Sequence, residues 1–562
     1  MRGLAATLLV GAAACGDSYI VVTVAAQPAV TGATALQVAQ ANAGTTHTDT
    51  LELGDHVFPV TFSLDAPGRT GELELAISAT GSGGSVVGLG SAATTVDASA
   101  VTVTLDPTDF VVNTDYPNDQ FLTTDQETKG YQVAATDGGP WTVAFRDTCA
   151  GACQIYARMF DPTGVPIKTE VAASTNAFTL TSAATDDQTF PAVAAANAST
   201  IAVWDFTDPT TMAQGIACRG IDASGTLTAG QLALSTDAAD TVTVAPLSTG
   251  DFAVAWQTIT PTVAIRTVVA HADCTPAGAV ATASTIAGAS DGPHRAGIAD
   301  NGESVLYTWL TDDAVHVRAA TPTGAFSGAD TLLYASPATY QIQEARVAPM
   351  GTGFAVAVRL ATSDGTTAGM IQLLRTNAAG QLLPGGPTLI SDQTGADFSV
   401  GAQGFGIATR GDGATLVTWQ QCDDGTPGPC AGHQDVYGRV VRPTGAPVGT
   451  PFEIPTTTAD DQTSPAAAAL DGAFSVAWND SSMTPPDTQG MAVRARVIYP
   501  PFADATKVLG ATCTSSADCA DGLACAMHTD GARCSQTCTP PTCAGGGACT
   551  PALDPAVSAC TF

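Results

Sequence analysis

A chain of 562 residues is too long for one hydrophobic core, so several modules are expected. Charged residues make up only 13%, yet 52 acidic side chains stand against 20 basic ones, for a formal net charge of −32. Such a field repels phosphate backbones and anionic lipid, which excludes nucleic acid and the bare membrane surface as partners. It serves solubility first; no DxDxDG-type loop is present, so no cofactor is expected beyond weak calcium binding by loop aspartates.

The chain opens MRGLAATLLVGAAACGDS, with one arginine, an apolar stretch from Leu4 to Ala14, and small residues running into Cys15. Residues 1–15 resemble a bacterial lipoprotein signal peptide, which implies that Cys15 is acylated and becomes the new N-terminus. Ala12 stands where that family usually has leucine, and an ordinary secretory signal cut near Ala14 is the alternative reading. No later stretch reaches the roughly 18 uninterrupted apolar residues of a membrane span, so membrane attachment is expected at Cys15 alone. Of 15 cysteines, removing an acylated Cys15 leaves an even set that can pair completely. An oxidising address follows: the bacterial cell envelope, as an outer-membrane lipoprotein facing the periplasm or the cell surface.

Residues 18–108 alternate in seven short segments, from YIVVTVAA to VTVTLDP, separated by Gly, Asp, Pro and Ser. That count fits a β-sandwich of immunoglobulin or fibronectin type III size, without a Cys-Trp-Cys framework. From about 120 to 502 a strand written Gly-x-Φ-x-Val-x-Trp recurs, clearest in GDFAVAW, GATLVTW and GAFSVAW. Its anchors are Phe145, Trp204, Trp256, Trp309, Val358, Trp419 and Trp478, spaced 49 to 61 residues apart. This is the period of a four-stranded blade and predicts a seven-bladed β-propeller. Phe252 and Val254 share a face with Trp256, while Ala253 and Ala255 take the other, so large side chains of one blade are expected to fill space left by small ones of the next.

A second strand follows each anchor and ends in a turn, as at Gly164, Gly225, Gly324, Gly380 and Gly445, where glycine supplies the positive φ of a hairpin. The third repeat carries a degraded copy, HADCTPAG, and the seventh stops without an outer strand. The segment FLTTDQ, Phe121 to Gln126, resembles the outer strands of other repeats and is expected to complete the last blade and close the ring. The pairs Asp125-Gln126, Asp187-Gln188, Asp392-Gln393 and Asp461-Gln462 recur before inner strands, where they satisfy loop backbone or form a ring of acceptors for cations or sugar hydroxyls.

Six cysteines lie in the repeats. Cys149 with Cys153, and Cys422 with Cys430, are expected to staple their own hairpins, and Cys218 with Cys274 to link adjacent blades. The tail, 509–562, holds Cys513, Cys519, Cys525, Cys534, Cys538, Cys543, Cys549 and Cys560, so disulfides rather than a core must stabilise it. Its opening CTSSADCADGLAC resembles Dickkopf-type cysteine-rich modules, a likeness of spacing that implies a small disulfide fold and no particular ligand.

His294, His316 and His433 sit in unrelated settings, with no HExxH or Gly-x-Ser-x-Gly nearby. The run RGDGATLVTW from Arg410 departs from the Asp-box spacing of sialidase propellers, so Asp412 and Gly413 read as a hairpin turn. The repeats resemble those of predicted bacterial surface lipoproteins, which implies architecture and no activity. The expectation is therefore an all-β, non-enzymatic, monomeric binding or scaffold lipoprotein: a β-sandwich, a seven-bladed propeller presenting a protein or glycan ligand, and a disulfide-rich module. The alternatives are a secreted polysaccharide hydrolase or lyase using channel-mouth carboxylates, which a mouth lined by Ala, Thr and Gly, or a blocked one, would sink, and a passive envelope component.

Overall fold

The computed structural model describes residues 19–65, 70–113 and 120–122, then 132–499 apart from internal segments of which 168–186 is the longest, and four strands between 523 and 561. The described residues are all-β, with no helix. Cys15 and the signal-peptide segment lie outside them. Two compact units divide the chain: Met1–Phe110 with Arg496–Tyr499, and Val111–Ala495 with Pro500–Phe562.

The first unit holds the seven expected strands: β1 (Tyr19–Ala26), β2 (Ala33–Asn42), β3 (Thr45–Glu52), β4 (Val60–Asp65), β5 (Glu72–Gly81), β6 (Val86–Thr95) and β7 (Ala100–Pro107). They form one path, β3-β2-β5-β6-β7-β1-β4, antiparallel except where β1 runs parallel to β7. β6 meets β7 only through Gly88↔Pro107 and Leu89↔Asp106, so the sheet folds into a half-barrel whose arms share a core. Gly90 permits this corner: a Cβ there would stand 2.3 Å from the Thr104 carbonyl oxygen. Period-two alternation fills the core, with Ile20, Val22 and Val24 from one arm meeting Leu73, Leu75 and Ile77 from the other.

In the second unit seven four-stranded sheets stand around a channel. Blade 5 is representative, with strands Tyr340–Met350, Gly353–Thr362, Met370–Thr376 and Thr388–Leu389 from the axis outward. Each innermost strand touches those of the two neighbouring blades, and Val133–Ala135 of blade 1 touches Gln462–Ala469 of blade 7, so the ring is closed. The anchors pack as their strand pattern requires. Trp256 lies in the core shared with blade 2, while Ala253 and Ala255 lie in the next core, against Trp309 of blade 4. All six tryptophans, including Trp141, are fully buried, which assigns them to blade packing rather than to a sugar platform.

The five expected turn glycines all have positive φ, between 74° and 87°. In the third repeat the corresponding position is Cys274, at φ 68°, and not the glycine of HADCTPAG: the Cys274 N–H donates to the His271 carbonyl as that of Gly164 does to Asp161. Cys274 is disulfide-bonded to Cys218 of blade 2, which ties the turn to the adjacent blade. Cys422 is also disulfide-bonded. Cys149, Cys153 and Cys430 lie outside the described residues.

Ring closure does come from the N-terminal side, but through a different segment. The fourth strand of blade 7 is Phe110–Val111, and Gln120–Phe121 instead pairs with Trp141–Asp147 in blade 1. Asn113 locks the closing strand: its Oδ1 accepts the Val493 N–H at 2.8 Å and its Nδ2 donates to Asp487 Oδ2 at 2.8 Å. The tail forms two hairpins, with Cys525 opposite Cys534 and Cys549 opposite Cys560 in backbone register. Cys513, Cys519, Cys538 and Cys543 lie outside the described residues.

Candidate functional site

Three consecutive residues from each innermost strand line the channel, which encloses about 320 Å³. The first is Val, Ile or Ala, and the second is alanine in all seven blades, from Ala134 in blade 1 to Ala468 in blade 7. Small side chains at this level let seven strands approach a common axis, and they leave a wall with no acid, base or nucleophile in its upper two tiers. In the third tier Asp300 of blade 4 and Thr409 of blade 6 also line the channel.

Polar groups gather instead where the innermost strands begin. There the strand register slips in blades 2, 3, 4, 5 and 7, a recurrent β-bulge that re-aims the leading residues. Arg295 and Ser464 occupy equivalent bulge positions in blades 4 and 7, at φ 54° and 55°. In blade 7, Asp480 is buried and accepts from Arg494 Nε at 2.6 Å and from Gln462 Nε2 at 3.1 Å. In blade 6, Gln420 Oε1 accepts the Ser464 N–H at 2.7 Å, while Gln420 Nε2 donates to Gln434 Oε1 at 2.8 Å. The Gln434 N–H in turn donates to Asp461 Oδ1 at 2.9 Å.

Blade 5 supplies the densest set. Arg346 Nε donates to Glu344 Oε1 at 2.7 Å, with both side chains about 5% exposed. Glu344 lies opposite Arg359 in the strand register, and Arg359 is also buried. Burial pushes the Arg359 guanidinium down to about 10; the Glu344 carboxylate opposes that shift and the Arg295 charge adds to it. Alternation places Arg359 on the face of Ala357, which packs against Trp419 and Ile407 of blade 6. The buried charges therefore sit between blades 5 and 6, at the mouth rather than in the channel.

Of the four Asp-Gln pairs, Asp461-Gln462 satisfies backbone and neighbouring side chains, including the Ala459 carbonyl, rather than facing a ligand. Asp125-Gln126 and Asp392-Gln393 lie outside the described residues, and Asp187-Gln188 is described by backbone alone. His294 heads the inner strand of blade 4 beside Arg295, while His316 is in the third strand of that blade, stacked on Trp309. The turn at Asp412-Gly413 is the plain hairpin expected, with Asp412 paired to Arg410. Among the described residues no group of three or more His, Cys, Asp or Glu side chains could hold a metal ion. The repeat pattern did not single out Arg295, Glu344, Arg346 or Arg359. The available signal was an arginine directly after an anchor in an otherwise apolar strand, FAVAVRLAT.

No protein-family model and no curated protein matches the chain in sequence. Some solved structures resemble it in part. A polysaccharide lyase described as an ulvan lyase is 9% identical, over 68% of this chain and 95% of its own, with a TM-score of 0.43. An α-L-arabinanase from Penicillium chrysogenum, complexed with arabinobiose, is 11% identical over 53% of this chain and 89% of its own, with a TM-score of 0.35. A protein of unknown function from Dyadobacter fermentans is 11% identical over 68% of this chain and 99% of its own, with a TM-score of 0.37. At such identities the likeness is one of fold. The expectation of a non-enzymatic platform is not kept: a polysaccharide lyase and an α-L-arabinanase are among the solved structures that the chain resembles, and buried Glu344, Arg346 and Arg359 stand at its mouth.

Proposed function

We propose that this chain is a glycan-processing enzyme, a hydrolase or lyase of an extracellular polysaccharide, with its site at the mouth where the innermost strands begin. One observation carries the reading. Buried Glu344, Arg346 and Arg359 crowd one blade face at that mouth, while the channel below presents an alanine tier in every blade. Ionisable groups are costly to bury, and a fold that could seat alanine there keeps them where a substrate needs preorganised charge. The propeller supplies the rigidity that such a site requires, because its groups sit on strands packed on both faces.

The proposed address is the cell envelope, with Cys15 as the lipid anchor. Labelling with a radioactive fatty acid checks it: label is expected on the wild type and not on a Cys15→Ser variant. For the activity, the full chain is incubated with a panel of neutral and acidic polysaccharides. New reducing ends are expected from hydrolysis, and ultraviolet-absorbing unsaturated ends from elimination. No new chain ends from any member of the panel overturns the reading.

A further inference from the structure

The residue after each anchor has a structural task in two of the blades. After Trp419, Gln420 accepts the buried Ser464 N–H of the next blade at 2.7 Å. After Trp478, Asn479 Oδ1 accepts the Leu122 N–H, also at 2.7 Å, from the segment leading into blade 1. Both use a side-chain oxygen to hold the neighbouring blade's leading backbone. Blade 5 places Arg359 at this position, and a guanidinium can only donate. Arg359 cannot do what Gln420 and Asn479 do.

No described residue of the blade hydrogen-bonds its side chain. Arg359 is 5% exposed, yet its guanidinium donates no hydrogen bond to the described residues. Glu344, the carboxylate acting on it, is already bound by Arg346 Nε, and the other charge acting on it is the like charge of Arg295. A guanidinium only 5% exposed, with no hydrogen bond to the described residues and the like charge of Arg295 acting on it, is an expensive arrangement. It is the arrangement that an incoming oxyanion relieves, because the planar fork donates to two oxygens side by side.

We propose that Arg359 is the anchor of an anion subsite at the mouth between blades 5 and 6, taking a carboxylate or sulfate ester of the substrate glycan. The identity of the ligand as a glycan rests on the function proposed above; the anion subsite itself does not. Arg346 is held by Glu344 beside the subsite, and Arg295 approaches from blade 4. The molecule as a whole is strongly acidic, so the subsite suits isolated negative groups on a chain rather than a dense polyanion.

The test is titration calorimetry on the full chain with three probes: an oligogalacturonate, the same oligosaccharide with its carboxyls reduced to alcohols, and a sulfated galactan oligosaccharide. One charged probe is expected to bind on the order of tenfold or more tighter than the reduced one, as loss of a charge-assisted hydrogen bond predicts. Preference for the uronate identifies a carboxylate as the natural group, and preference for the sulfated probe identifies a sulfate ester. Arg359→Leu is expected to abolish the preference while melting at or above the wild-type temperature, since it removes a buried charge that does no structural work. Glu344→Gln, which removes the internal competitor, is expected to tighten binding of the preferred probe. Equal binding of charged and reduced probes, no binding of any probe, or a preference that survives Arg359→Leu overturns the proposal. Bond cleavage without an anion preference sinks the subsite and leaves the enzyme; anion-dependent binding without cleavage does the reverse.

Discussion

At the scale of single residues, the anchors show what an apolar blade tolerates. The indole N–H groups of Trp204, Trp256, Trp309 and Trp478 are buried without a partner, whereas that of Trp419 reaches Gln421 Oε1 at 3.0 Å. Volume rather than hydrogen bonding selects tryptophan here, which is why Phe145 and Val358 can serve in blades 1 and 5. Tyr307 is a polar group bound the same way to its core. Its hydroxyl is wholly buried, accepts from Thr267 Oγ1 at 3.2 Å, and is pushed up to about 12 by burial, a shift the Thr267 bond opposes. The folded state thus holds the neutral phenol after the unfolded chain has begun to ionise at pH 10. The sign follows: this contribution is full below pH 10 and is lost as pH rises toward about 12. Chemical denaturation across that window is expected to show a steeper loss of stability in the wild type than in Tyr307→Phe.

At the scale of elements, the turn and the closing strand carry separate lessons. A non-glycine residue at positive φ costs about 1 kcal/mol or more, and Cys274 is held there by its bond to Cys218. A cross-link spanning 56 residues offsets that cost, at roughly 4 kcal/mol in the chain-entropy account. Glycine is therefore dispensable in this turn, which is covalently tethered. The closing strand depends on Asn113, whose loss would leave the Val493 N–H and the Asp487 carboxylate short of a buried partner. Asn113→Ala is expected to cost roughly 2 to 4 kcal/mol. Because closure joins the two ends of the ring, the loss should appear as an earlier melt of the whole propeller rather than of one blade. A separate low-temperature transition for blade 7 would contradict this.

At the scale of the molecule, two opposed charge distributions coexist. A net charge of −32 surrounds a mouth where the described groups acting on Arg359 are one carboxylate and one further arginine. Salt screens the first over about 8 Å at physiological ionic strength and reaches the buried second far less. Affinity for the preferred anionic oligosaccharide is therefore expected to hold or rise as salt goes from about 0.01 to about 0.15 M, where the Debye length shortens from roughly 30 to 8 Å. A steep fall over that range would mean that surface charge, and not the buried site, does the binding.

The all-β class, the seven blades, the anchor faces and the turn glycines were legible in the sequence because each follows from local periodicity. A strand's alternation fixes which side chains share a face, and a glycine marks a positive φ, without any knowledge of distant residues. Choosing Phe110–Val111 over FLTTDQ as the closing strand was not local. Two short apolar segments ten residues apart have equal claims, and contact with Val493 and Asp487 decides between them. The mouth was hidden for the same reason. Arg295, Glu344, Arg346 and Arg359 come from two blades and three strands, and no motif links them. Repetition records what every blade must do to pack, and a site is made where one blade departs from that rule, which only the closed ring reveals.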